Sequence, residues 1–152
     1  MEKYWLMKSE PSTYSIEDLK RDGSTHWDGV RNYQARNYMR SMTLGDKVLF
    51  YHSNAPETGV AGVAEVCREA YADFTAQDPT NDHFDPKSTT ADPIWEMVDI
   101  AYVETFPRVV TLQEIKEAPA LRGIVVAQKG SRLSVQPVSE EHFKEIRKMA
   151  GA

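Results

Sequence analysis

The sequence predicts an α+β domain in which a small, mixed, barrel-like β-sheet carries short helices on its rim. Five or six apolar segments of strand length recur along the 152 residues. The helical signals between them are short, and strand and helix do not alternate as they would in a doubly wound parallel sheet. A chain of this length can bury a hydrophobic core without disulfide or metal support, so residues 1–152 are expected to form a single domain.

Each element has a local signature. Lys3 to Lys8 reads as a first strand, and the N-terminal Met1 to Lys8 is too short and too mixed for a signal peptide. Ser15 caps a short helix with acids in its first turn and Lys20 toward its end, closed by Gly23. From Asn32 no Gly or Pro occurs until Gly45, and Ala35, Tyr38, Met39 and Met42 recur at i, i+3, i+4, i+7, which predicts a helix with one apolar stripe. Lys47 to His52 is an apolar, aromatic strand, and Ser53 to Gly59 is a run of turn formers. Val60 to Arg68 is a further strand, in which Ala61, Gly62 and Ala64 allow a close approach from one side.

Asp73 to Pro93 is polar and proline-containing, and is expected to be a long irregular loop. Trp95 to Phe106 is a strand, and Thr111-Leu112-Gln113-Glu114 is a capping box that opens a helix. Ala118 to Leu121 starts another turn or two. The apolar run Ile124 to Gln128 predicts a strand, followed by a turn at Gly130-Ser131. Arg132 to Val138 then alternates, with Leu133 and Val135 on one face and Arg132, Ser134 and Gln136 on the other. Ser139 caps a last helix with Phe143, Ile146 and Ala150 on its apolar line.

Bulk composition narrows the function classes. Hydrophobic residues make up 41% and charged residues 27%, as in an ordinary soluble domain. The single cysteine, Cys67, rules out an internal disulfide, fits a reducing compartment, and is expected to be a packed thiol inside its strand. A cytoplasmic location follows, or a nuclear one in a eukaryote. The net charge of −5 argues against wrapping nucleic acid by charge alone, because phosphate neutralisation supplies most non-specific affinity. A nucleic-acid role therefore requires a local basic face, for which Arg31, Arg36, Arg40, Lys129 and Arg132 are the candidates for phosphate contact; they are expected to converge in one patch.

The usual catalytic constellations are missing. His26, His52, His83 and His142 are not at ligand spacing, so no metal site is predicted. The acidic stretch Asp78 to Asp85 lacks the Gly and terminal Glu of a calcium loop and reads as solvated. No serine sits in a Gly-x-Ser-x-Gly context and no glycine-rich phosphate loop occurs. Glu10, Asp28 and Glu65 could meet in space, but no spacing suggests paired carboxylates. These residues call for no cofactor.

The most informative stretch is Trp27 to Arg40, where a Trp, Tyr33, Tyr38, three arginines and several amides surround Gly29. Flat rings, planar cations and bidentate amides stack on nucleobases and read their edges. The same stretch equally describes a surface helix preceded by an aromatic that packs inward. Polar residues at strand ends, Lys8, Ser9, His52, Ser53, Ser134 and Gln136, add the directed donors and acceptors that a small planar ligand needs.

Several of these strings resemble one family. Lys8-Ser9-Glu10-Pro11, the run from Trp27 to Asn37, Gly45-Asp46, Phe50 to Asn54, Gly62 to Val66, Asp85-Pro86-Lys87-Ser88, Trp95 and Leu133 to Pro137 stand in the order of an EVE domain. The resemblance runs from the first strand to the last helix. It implies a PUA-like fold, related to the YTH readers of methylated adenine in RNA, and a pocket for a modified base, with modified cytosine in DNA as leading candidate. Trp27 would then wall the pocket with Val30 beside it, and Asn32 would bind the base or hold the pocket loop. Lys8, Ser9, His52, Ser53, Ser134 and Gln136 would supply rim and edge contacts. The expected partner is DNA or RNA carrying a modified base. An enzyme acting on a modified nucleotide and a protein-interaction domain are the alternatives.

Overall fold

The computed structural model describes residues 3–89, 91, 93–130 and 132–152. Among these residues six strands form one sheet: β1 (Tyr4–Ser9), β2 (Ser24–His26), β3 (Lys47–His52), β4 (Gly59–Ala72), β5 (Glu96–Thr111) and β6 (Val135–Val138), in the order β2-β5-β4-β3-β1-β6. The sheet is mixed because β1 and β3 run parallel, Tyr4 opposite Lys47 through Ser9 opposite His52, while the other pairs are antiparallel. A parallel pair needs a long crossover. Here it holds α1 (Ile16–Asp22), β2 and α2 (Tyr33–Ser41).

Strand alternation sends side chains to two cores. Met7, Val48, Phe50, Ala64, Val66 and Ile100 face Ile16 and Leu19 of α1 and Ala35 and Met39 of α2. Leu6, Leu49, Tyr51, Val63 and Phe106 face Ile115 of α3 (Leu112–Glu117) and Phe143 and Ile146 of α4 (Glu140–Met149). The predicted stripe of α2 is therefore its core face, with Met42 buried and Tyr38 resting 5.7 Å from the Trp5 ring. Fully burying such a methionine stabilises by about 1.5–3 kcal/mol. The small residues of β4 also have their partner: a Cβ on Gly62 would lie 2.9 Å from Ile16 Cγ1 and 2.4 Å from the Glu104 carbonyl oxygen. The capping boxes of α1 at Ser15 and Asp18, and of α3 at Thr111 and Glu114, are both formed.

Several expectations are corrected. Ile124 to Gln128 is not a strand: Val125–Ala127 forms a 3-10 turn that buries Ile124 and Val126 in the second core, and a short apolar run serves a buried turn as well as a strand. Ser24–His26, too short and polar to show a strand period, pairs with Asp99 to Ala101 at the sheet edge. Cys67 is exposed rather than packed, since it follows buried Val66 on β4 and points the other way. Partial burial of its sulfur and the Asp99 and Glu65 carboxylates hold the thiol above its ordinary value. Arg132, Ser134 and Gln136 do not share one strand face, because β6 starts only at Val135; Gln136 is fully buried. Ser131, half of the expected Gly130-Ser131 turn, lies outside the described residues.

The Gly45-Asp46 pair has a structural explanation. Asp46 is buried and accepts hydrogen bonds from the Trp5 indole at 3.0 Å, the Lys3 amide at 3.0 Å, and the Thr43 amide and hydroxyl at 3.0 and 2.9 Å. Burial alone would raise its pKa, but these donors outweigh it and hold the carboxyl below its ordinary 3.8. The stability it contributes is thus fully present above pH 3.8 and lost as pH falls through the lower folded value. His52 acts earlier. Its Nε2 accepts the Ile16 amide at 3.1 Å, and burial pushes the imidazole below 6.5 despite the nearby Glu17 carboxylate. Its contribution is full above 6.5 and is lost as pH falls from there toward the folded value. Acid titration of stability should show a first decline beginning below pH 6.5 that His52→Gln removes, and a second, carboxylate-driven decline that it leaves. Urea melts across this range check it; a parent profile that His52→Gln leaves unchanged below pH 6.5 would contradict the first step.

Candidate functional site

A cleft of about 580 Å³ opens where the end of β1, the segment from Thr25 to Arg31, the loop at His83 and the residue before β6 meet. Trp27 is fixed by its backbone amide, which donates to the Val98 carbonyl at 2.8 Å, and by its ring, which meets Phe50 edge-on at 5.6 Å. It is half-buried, so the two readings of its sequence context combine: part of the indole packs on the core and part walls the cleft. Val30, Lys8, Ser9 and Ser134 line the same space. The Lys8 amide donates to the Ser134 carbonyl at 2.9 Å, which joins β1 to the β6 entry there. Burial lowers the Lys8 ammonium pKa, and its nearest aromatic support is the Tyr51 ring at 5.7 Å. The Ser9 hydroxyl is occupied, donating to the Tyr14 carbonyl at 2.6 Å.

The cleft wall is held by a buried carboxylate that sequence reasoning did not single out. Asp73 Oδ2 accepts from the Gly29 amide at 2.8 Å and from Arg31 Nη1 at 3.0 Å; its Oδ1 accepts from the Thr75 amide at 2.8 Å and hydroxyl at 2.6 Å. Burial pushes its pKa up, but Thr75, Gly29 and Arg31 together hold it below the ordinary value. Arg31 also donates Nε and Nη2 to the His83 carbonyl at 3.1 and 2.7 Å, and Nη2 to Thr75 Oγ1 at 3.2 Å. The long loop is thereby stapled to the turn that follows Trp27. Gly29 has φ +81°, and the His83 ring covers it so closely that a Cβ there would lie 2.7 Å from the imidazole. Only glycine combines that φ with that approach.

The motif Asp85 to Ser88 belongs to the same support. Asp85 Oδ2 accepts the Trp95 indole at 2.7 Å, and Ser88 Oγ accepts the Ile94 amide at 2.9 Å. Asp78 and Asn81 fold the loop locally by accepting the amides of Thr80 and His83. The stretch from Asp78 to Asp85 is largely exposed, as expected, and is folded by these side-chain-capped turns.

Other predicted site residues stand outside the cleft lining. Asn32 is the N-cap of α2, its Oδ1 accepting the Ala35 amide at 2.9 Å, so its amide holds the helix that follows the pocket loop. The His52 ring holds the first turn of α1, and the Ser53 amide donates to the Ser9 carbonyl at 2.9 Å. Gln136 is buried in the sheet, donating to the Leu133 carbonyl at 2.6 Å, and its Oε1 has no partner among the described residues. Protein groups hold the three arginines, and the Arg31 and Arg36 guanidiniums gather at the Trp95 ring, 5.5 and 5.9 Å from its centroid. Arg31 pairs with Asp73, Arg40 pairs with Glu96, and Arg36 donates to the Ile94 carbonyl at 3.0 Å. Lys129 and Arg132 are exposed on the segment leading to Ser134. Conversely, His26 and His83, scattered in sequence, line one cleft, as do Glu10 and Asp28. Among the described residues no group of three or more His, Cys, Asp or Glu could hold a metal ion, and no helix is long and apolar enough to cross a membrane.

A mixed sheet with helices over both faces and a polar cleft at its rim is a PUA-like architecture. The chain belongs to the EVE domain family, whose model matches residues 3–149. It is 41% identical to human thymocyte nuclear protein 1 over 94% of this chain and 72% of that protein. A Pseudomonas putida protein of known crystal structure is 51% identical, with a TM-score of 0.94 over 97% of this chain and 99% of its own. Human THYN1 protein, crystallised in complex with 5-methylcytosine-containing DNA, is 39% identical, with a TM-score of 0.92 over 99% of both chains. An ASCH protein from Zymomonas mobilis, 9% identical with a TM-score of 0.55, shares the fold alone.

Proposed function

We propose that this protein is a binding module that recognises a modified base in nucleic acid, with modified cytosine in DNA as the leading ligand. The observation that carries the reading is the cleft at Trp27 in a fold that superimposes, at a TM-score of 0.92, on a relative crystallised with 5-methylcytosine-containing DNA. In this reading Trp27 stacks on the base and Val30 contributes apolar contact. Lys8, Ser9 and Ser134 face the base edge and substituent, with Asp73 and Arg31 holding the wall. Asn32, His52, Ser53 and Gln136 act on the frame rather than on the base. Phosphate contact falls to Arg36, Lys129 and Arg132, the candidate cations without a carboxylate partner among the described residues. The protein would act wherever that nucleic acid lies, as the nuclear naming of the eukaryotic relatives suggests for them.

The test is a titration of fluorescent oligonucleotides, single- and double-stranded, carrying cytosine or 5-methylcytosine at one position, with mass analysis of the base afterward. Tighter binding of the modified strand with the base unaltered is expected. Equal affinity for both, or conversion of the base, overturns the reading.

A further inference from the structure

Beyond the cleft, one exposed surface combines the groups that can hold nucleic acid. Tyr33 opens α2 and is 59% exposed, more than Phe74 at 51%. Its hydroxyl makes no hydrogen bond among the described residues. The ring is nonetheless held in place. Trp95 lies 4.8 Å away at 34° between planes, and the Arg36 guanidinium lies 4.8 Å from the Tyr33 centroid. Arg36 is itself anchored by the Ile94 carbonyl at 3.0 Å and by Asn37 Oδ1 at 2.9 and 3.2 Å. It has no carboxylate partner among the described residues, so its charge is not neutralised as that of Arg31 is by Asp73. An exposed, fixed aromatic ring and a half-buried, fixed planar cation form a stacking platform for a nucleobase with a counter-charge for its phosphate.

The platform is continuous with the cleft. Arg31, which lines the cleft, has its guanidinium 5.5 Å from the Trp95 ring, and Trp95 supports Tyr33 from the same neighbourhood. A strand whose one base enters the cleft would pass Arg31 and meet Tyr33 within the reach of an adjoining nucleotide. We propose that Tyr33 and Arg36 form a second subsite that stacks the nucleotide next to the one in the cleft and contacts the intervening phosphate. The inference rests on the modified-base reading of the cleft and extends it: the protein reads a short segment with an unstacked neighbour, not an isolated base.

The experiment compares two ligands, 5-methyldeoxycytidine nucleoside and a single-stranded trinucleotide with 5-methylcytosine in the middle, on parent, Tyr33→Ala, Tyr33→Phe and Arg36→Gln proteins shown by thermal melting to be folded. Tyr33→Ala should weaken the trinucleotide roughly 5- to 150-fold while leaving the nucleoside unchanged, and Tyr33→Phe should bind as the parent does. Arg36→Gln should weaken the trinucleotide and lower its log–log salt slope by about one, again with the nucleoside unchanged. A parent that binds the nucleoside, together with a Tyr33→Ala variant that binds the trinucleotide equally well, overturns the subsite and leaves the cleft reading standing. A parent that binds neither ligand overturns both.

Discussion

Trp27→Ala should weaken binding of a modified-base oligonucleotide by roughly 5- to 150-fold, since base–aromatic stacking contributes about 1–3 kcal/mol by alanine substitution. The indole packs on the core, perpendicular to the Phe50 ring with centroids 5.6 Å apart, and also lines the cleft. The substitution therefore also removes packing, and a stability loss accompanies the affinity loss. Trp27→Phe separates the two: it keeps a ring against Phe50 and a smaller face toward the ligand, and should recover most of the stability and part of the affinity. Modified and plain bases should suffer together, because every base has a π-face and Trp27 does not read the substituent. Calorimetric titration of folded variants checks this. Parental affinity in folded Trp27→Ala would make the indole a core residue only.

The helices and long strands were legible because burial imposes a period on them. Ala35, Met39 and Met42 had to repeat near every third or fourth residue to reach one core, and Gly62 had to be a glycine where Ile16 and the Glu104 carbonyl approach β4. Ile124 to Gln128 misled because a short apolar run carries no period that separates a strand from a buried turn. The cleft was legible in part. Trp27, Val30, Lys8, Ser9 and Ser134 reach it from three chain segments, and their residue types advertised a planar ligand. Asn32 has the same chemistry as a base-reading amide, and what distinguishes a cap is its position: it immediately precedes a helical run and accepts the amide three residues on. The arginines misled for a related reason. Composition shows cations, while only tertiary structure shows that Arg31 and Arg40 already have carboxylates. Asp73 was hidden among the acids of a polar loop; the local Asp-x-Thr pattern hinted at a turn, but nothing local says which acid is buried.

That hidden carboxylate has the largest expected effect on stability, and Asp73→Asn is the variant that exposes it. The shape is conserved, so packing changes little. One amide oxygen can still accept from Thr75, but the amide nitrogen then faces the Gly29 amide and Arg31 Nη1, placing donors against donors. Turning the amide over moves the conflict onto the Thr75 amide. The Arg31 side chain, 22% exposed against 0% for Asp73, loses its counter-charge in a largely desolvated position. Removing one member of a buried pair costs about 3–5 kcal/mol, and the partial exposure of Arg31 places this case at roughly 3 kcal/mol. Thr75→Val, which removes one hydroxyl and leaves the ion pair, should cost only about 1 kcal/mol. Because Asp73 ties the Gly29 turn to the loop that carries His83, the variant should also lose ligand affinity under conditions where it remains folded, whereas Thr75→Val should lose little. Urea unfolding and oligonucleotide titration of both variants give the comparison. An Asp73→Asn protein within about 0.5 kcal/mol of the parent, binding as tightly, would mean that the cleft wall stands without its carboxylate and that the close seat of His83 over Gly29 is enough to shape it.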